Sequence, residues 1–298
     1  MKGILLVGPT GVGKTELSLM LAEKLKCPII SCDSMQVYKG LDIGTAKATQ
    51  EEQKRIPHYM IDIATISEKY SVGDYVSQCS SLLNILESIY THCLLVGGTG
   101  LYAKGIVEGL ANLPKEDSLY RQHLETLSLE QLRGILKKVD ILSYENIDIC
   151  NPLRVIRALE VVKQTDQSFW KVSRKNIKNH HVDFTTFVLT RDKNVLYERI
   201  DNRVLSMIKL GLVEEAHTLY HLQKKAITAL QGIGYPELFE YFDGLSTLDE
   251  AISKIQQHSR NYAKRQLTWF RKLENTTWLN LDTLSSSDAL ESIIQKIK

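Results

Sequence analysis

Proline is scarce, 6 in 298 residues, and glycine numbers only 17, which excludes a collagen-like or low-complexity chain. The five cysteines (Cys27, Cys32, Cys79, Cys93 and Cys150) are odd in number, widely spread and without a CxxC pair. Neither a disulfide framework nor a zinc knuckle is expected from them, and we read them as reduced thiols of a cytoplasmic protein. No apolar run approaches the ~20 residues of a membrane span. The N-terminal run from Ile4 to Val7 stops at Gly8, too soon for a signal-peptide core, so no membrane partner is expected. A dominant charge is also missing: 37 basic residues face 35 acidic ones, a net +2. What is present, 43% hydrophobic and 24% charged residues, is the balance of a folded, soluble chain. The length suits two domains, or one α/β unit with an insertion.

The near-zero net charge hides an uneven distribution. Residues 151–182 hold seven Lys or Arg (Arg154, Arg157, Lys163, Lys171, Arg174, Lys175, Lys178) against Glu160 and Asp166. Residues 254–273 hold Lys254, Arg260, Lys264, Arg265, Arg271 and Lys272 and no acid. Together these segments carry +11, leaving −9 for the rest, a pattern expected of a local polyanion footprint.

Periodicity predicts strands at Ile4–Val7, Pro28–Asp33, His92–Gly97 and Phe184–Arg191, separated by helical stretches. The first helix places Leu17, Met20, Leu21 and Leu25 on one face. This order implies an α/β fold with a parallel sheet and helices on both faces. Between Asn112 and Val182 the β signals stop, and Leu124–Val139 and Pro152–Val162 read as helices. We therefore expect a core of 1–112 with 183–298 and a helical insertion of 113–182. Further helices are expected from about Val195 and from about Asp249, the latter opened by Thr247 with Glu250 as a capping box.

Residues 8–15, GPTGVGKT, match the GxxxxGKT phosphate loop between a strand and a helix. Gly8, Gly11 and Gly13, with Val12 between them, let the backbone curl so that amide N–H groups face phosphate oxygens. Lys14 adds a charge, and Thr15 is placed to share Mg²⁺ with the phosphates. An ordinary NTPase would end a later strand in a carboxylate, but His92–Gly97 runs into GGTG, which disfavours that class. Asp33 ends its strand on the same edge as the loop. It is expected either to face the phosphate pocket or to cap the next turn.

The chain also carries DSMQVY at 33–38, DIGTAK at 42–47, IPHYMID at 56–62, GGTGLY at 97–102, NPLRVIRALEV at 151–161, GIGY at 232–235 and YAKRQLTWFR at 262–271. With the phosphate loop, these blocks resemble, in order and along the full length, the tRNA dimethylallyltransferases, or tRNA isopentenyltransferases. The pattern departs beside its motifs at Ala48, Tyr59 and Pro236. The resemblance implies transfer of a dimethylallyl group from dimethylallyl diphosphate to N6 of the adenosine immediately 3′ of the anticodon in tRNA, with Mg²⁺ and release of diphosphate. The phosphate loop would then hold a prenyl diphosphate where relatives of the fold bind a nucleotide such as ATP.

By the same resemblance, Asp33 is the base, Thr10 and Thr99 border the reacting amine, and Arg199 or Arg203 reaches the diphosphate. The two arginines share a helix face at i and i+4, where a solvated face with Glu198 and Asp201 is the alternative. The tRNA contacts implied are Asp33, Ser34, Met35, Gln36, Thr99, Arg121, Arg154, Arg157, Lys264 and Arg265, with the insertion gripping the anticodon stem-loop of a tRNA bound by a monomer. On the helix from Asp249, Ile255, Tyr262, Trp269 and Leu273 form one stripe, read as core, flanked by two basic stripes, Lys254 with Arg265 and Lys272 and Arg260 with Lys264 and Arg271, read as phosphate contacts. His180 and His181 lack metal-spaced partners and are read as surface residues. The rival readings are an isopentenyltransferase acting on a free adenine nucleotide and a small-molecule kinase.

Overall fold

The computed structural model describes residues 1–222 and 228–297. Its strands are β1 (Lys2–Val7), β2 (Ile29–Cys32), β3 (His58–Tyr59), β4 (His92–Gly97), β5 (Leu110–Ala111), β6 (Asn176–Ile177), β7 (Asp183–Thr190) and β8 (Thr276–Asn280). Six form one parallel sheet in the order β3-β2-β4-β1-β7-β8. The central strand β1 is apolar at every position from Ile4 to Val7 because both faces of the sheet are covered. Ile4 and Leu6 share one cluster with Leu94, Phe187 and Leu189, onto which the helices Lys14–Leu25, Lys193–Lys209 and Ser286–Ile297 pack. Beyond β2, the buried Tyr75 of the helix Val72–Leu86 donates its hydroxyl to the Ser31 carbonyl at 2.8 Å and stacks on Tyr102, 4.0 Å between centroids. Four of the five cysteines are buried, Cys150 is exposed, and all are free thiols.

Sheet edges are where the sequence reading falls short. β3 has two residues, and β8 sets a large apolar side chain, Trp278, on the exposed side next to the buried Leu279, so neither shows an apolar/polar alternation in sequence. The chain divides into Met1–Val107 with His180–Lys298 and a second unit, Glu108–Asn179. That division falls a few residues from the expected boundaries because the antiparallel ribbon β5–β6 joins the ends of the second unit to each other. β6 also corrects the expectation that no β structure occurs between Asn112 and Val182.

The second unit is otherwise helical, built on Leu124, Leu132, Leu136, Val155, Ile156 and Leu159. The single helix expected over Leu124–Val139 is two, Ser118–Glu125 and Leu129–Val139, because Ser128 and Gln131 form a capping box that restarts the chain. The helix Pro152–Thr165 starts with Asn151 as N-cap and Pro152 in its first turn. His180 is a correction of another kind: it is buried, its Nε2 lies 2.9 Å from the Ile106 carbonyl, and its Nδ1 accepts the Val182 amide at 3.2 Å. A histidine without metal partners is here a core polar group satisfied by backbone.

Candidate active site

The phosphate loop leaves β1 at Gly8 and delivers Lys14 to the first turn of a helix. Gly11 and Gly13 take φ of 79° and 113°, the left-handed conformations that turn successive amides inward. The back of the loop is held by a device absent from the motif: Arg191 Nε donates to the Val12 carbonyl at 2.9 Å, and its Nη1 pairs with Asp282 at 2.7 Å. Val12 itself is fully buried in the core, and the Gly8 carbonyl accepts from Lys14, so both serve the loop from behind. Lys14 Nζ donates to the Gly8 and Pro9 carbonyls at 2.8 and 2.9 Å. Burial and then the nearby Arg203 push its pKa down to about 7, against a smaller opposing pull from Asp33.

The loop opens on a cavity of about 880 Å³, lined among others by Thr10, Gly11, Gly13, Lys14, Thr15, Asp33, Ser34, Met35, Gln36, Arg199, Arg203 and Arg265. Both readings of Asp33 hold together. Its Oδ1 accepts the Met35 amide at 2.9 Å and the Gln36 amide at 3.4 Å, forming the turn, while the residue still lines the cavity. Arg203 reaches the same place: burial lowers its pKa and Asp33 raises it. Arg199 Nε donates to the Gly11 carbonyl at 2.9 Å, which ties the helix Lys193–Lys209 to the phosphate loop, although Arg199 and Glu198 both stay exposed. Asp201 of that helix pairs with Arg260.

Thr99 stands behind the cavity wall. Its Oγ1 accepts the Ser34 amide at 3.0 Å and donates to Ser34 Oγ at 3.3 Å, which fixes the turn that carries Asp33. Opposite, Gln36 spans from Ser31 Oγ at 2.8 Å to the carbonyls of Thr45 and Ala46 at 3.2 and 3.3 Å. The DIGTAK segment becomes a fixed wall. Glu215 accepts the amides of Asp42, Ile43 and Gly44 and the Tyr235 hydroxyl, and the buried Lys47 pairs with Asp42 and Asp62, each at 2.6 Å. Glu215 and Arg191 had no local signal, since the loop backbone each one holds lies 171 to 179 residues away in sequence.

On the helix Leu248–Phe270, the capping box Thr247–Glu250 forms as expected. The buried stripe is Ala251, Ile255, Ala263, Gln266 and Phe270, whereas Tyr262 and Trp269 are half-buried beside it and Tyr262 lines the cavity. The basic residues divide. Lys254 pairs with Glu240 at 2.7 Å and Arg260 with Asp201, while Lys264, Arg265, Arg271 and Lys272 are exposed. Lys264, Arg265 and Lys272 line a shallow depression of about 410 Å³ with Asn261, Thr268 and Trp269.

In the second unit, Arg154 is exposed, but Arg157 donates to the Pro114 carbonyl at 2.6 Å. Arg121 bonds Glu116 and lies 3.4 Å from the fully buried Glu160. Among the implied tRNA contacts in this unit, Arg154 presents its charge to solvent, whereas Arg121 and Arg157 are engaged inside the unit.

Residues 36–273 match the sequence model of one family, described as IPP transferase. The tRNA dimethylallyltransferase of Fusobacterium nucleatum is 42% identical over 98% of this chain and 96% of its own. The chain belongs to the tRNA dimethylallyltransferase family. The Anoxybacillus flavithermus member is 43% identical over 94% of the chain and 90% of its own length. Among solved structures, a full-length tRNA isopentenylpyrophosphate transferase from Bacillus halodurans has TM-score 0.73 and 39% identity, covering 99% of this chain and 96% of that one. A eukaryotic dimethylallyltransferase captured acting on tRNA has TM-score 0.84 at 25% identity, covering 99% and 80%. The tRNA dimethylallyltransferase fold thus extends over the chain, and its activity is that of a prenyltransferase acting on tRNA. Among the described residues, no helix is long and apolar enough to cross a membrane.

Proposed function

We propose that the phosphate loop holds the diphosphate of dimethylallyl diphosphate while Asp33 receives a proton from N6 of the adenosine 3′ to the anticodon of a tRNA. The carrying observation is that Lys14, Arg203 and Asp33 meet in one cavity, with Lys14 responding to both of the others. The N6 lone pair forms a bond to the allylic carbon, the C–O bond breaks with its electrons going to diphosphate, and the amine proton passes to the carboxylate. Loop amides, Lys14 and the arginines offset the charge that develops on the leaving oxygen. Asp33 Oδ1 is committed to its turn, so Oδ2 is the oxygen offered to the amine.

Mg²⁺ fits this donor set. Among the described residues no cluster of three or more His, Cys, Asp or Glu could enclose a metal ion, whereas the exposed Thr15 hydroxyl suits an ion bound mainly through phosphates. Mg²⁺ there would add positive charge at the leaving group. The acceptor is tRNA rather than a free nucleotide because exposed cations at Arg154, Lys264, Arg265, Arg271 and Lys272 are far more numerous than one mononucleotide needs. Incubation with labelled dimethylallyl diphosphate or labelled ATP, each with tRNA or AMP, tests the reading. Label should enter tRNA from the prenyl donor only; incorporation into AMP, or from ATP, would replace it.

A further inference from the structure

Gln266 has no part in the mechanism above. It sits inside the helix Leu248–Phe270, 5% exposed, and gives both of its polar atoms to loops from elsewhere in the chain. Its Oε1 accepts the Thr10 amide at 2.9 Å, and its Nε2 donates to the Gly98 carbonyl at 2.9 Å. Thr10 belongs to the phosphate loop after β1, and Gly98 to the loop after β4. The ladder between those strands ends at Val7 and Gly97, so past that point no strand pairing sets how far apart the two loops stand. Gly98 is shaped to the amide: a Cβ there would lie 2.2 Å from Nε2. One residue past Gly98, Thr99 holds the Ser34 amide beside Asp33. A buried amide in a helix interior is costly unless both ends are satisfied, and these two bonds satisfy it with backbone groups on opposite sides of the reaction centre.

We infer that Gln266 is a positioning residue that sets the gap between the phosphate loop and the turn carrying Asp33, and so the distance between leaving group and base. The inference rests on the transferase reading. A small misplacement of either side is expected to slow the chemical step about 10- to 100-fold without loosening either substrate.

The test compares Gln266→Met, which keeps the bulk and loses both bonds, with Gln266→Glu, which keeps an acceptor for Thr10 and loses the donor to Gly98. Single-turnover transfer should fall 10- to 100-fold in both, with dissociation constants for dimethylallyl diphosphate and tRNA within threefold of wild type. Amide hydrogen exchange at Thr10 should quicken in Gln266→Met and stay protected in Gln266→Glu. Gly98→Ala, which pushes the amide away from the other side, should reproduce the rate loss. A transfer rate within twofold of wild type in Gln266→Met, or a loss wholly accounted for by weaker binding or by the unfolded fraction, overturns the inference. Wild type is measured alongside: if it transfers no prenyl group the transferase reading fails, while unchanged Thr10 exchange in Gln266→Met would still refute the clamp by itself.

Discussion

Asp33 shows how one carboxylate holds a turn at the edge of a cavity: Oδ1 takes the backbone amides of Met35 and Gln36 while the residue lines the cavity. Asp33→Asn preserves an oxygen for the Met35 amide but accepts a proton poorly. Transfer should fall by about 10²- to 10⁴-fold while tRNA affinity stays within a few-fold, read from single-turnover rates and a binding titration. Lys14 gives a pH signature. In the empty protein it loses its proton near pH 7, against 10.5 ordinarily, so between those values the unfolded chain binds more protons and stability rises with pH. Bound diphosphate favours the ammonium form. Above pH 7, binding should therefore take up close to one proton, and affinity should fall with rising pH by up to about tenfold per unit. Calorimetry in two buffers of different ionisation enthalpy measures the uptake, and Lys14→Met should abolish it.

Among the elements, the helix Leu248–Phe270 carries the most: its cap starts it, its buried stripe seats it, Gln266 reaches the phosphate loop, and its last turns expose cations. Thr247→Ala removes the N-cap and should cost about 1 kcal/mol in urea unfolding, with little change in turnover per folded molecule. Charge reversal at Lys264 with Arg265 should weaken tRNA binding and flatten its salt dependence, since both face solvent. Reversal at Lys254, which is paired with Glu240, should leave the salt slope unchanged. Fluorescence titrations at several salt concentrations separate the two. Helical angle alone put Lys254 and Arg265 on one stripe, and sequence offered no way to see that Glu240 had already claimed the first.

At the scale of the molecule, the second unit pairs two of its arginines with a buried acid of its own. Glu160 is fully buried, and burial raises its pKa against the opposing pull of Arg121 and Arg157. Arg121→Met leaves that carboxylate only Arg157, 3.5 Å away, and should lower the stability of the unit by about 1–3 kcal/mol in thermal or chemical unfolding, with the salt dependence of tRNA binding preserved. An unchanged stability together with a reduced salt slope would return Arg121 to the RNA footprint.

The central strands, the phosphate loop and the family were legible in the sequence because each is local: an apolar run, a glycine spacing, a block of neighbouring residues. Asp33 at the end of β2 belongs with them, since its place at the strand's carboxyl end already put it on the edge of the phosphate loop. The two edge strands were not legible, being short and half polar, and the break at Ser128 was hidden within a continuous helical pattern. Tertiary structure alone decided which charges are free, that His180 is a core residue, and that Arg191, Glu215 and Gln266 brace the loops around the cavity. The physical reason is distance along the chain: backbone conformation follows from near neighbours, whereas an ion pair or a buried amide is settled by groups that meet only after the sheet has formed.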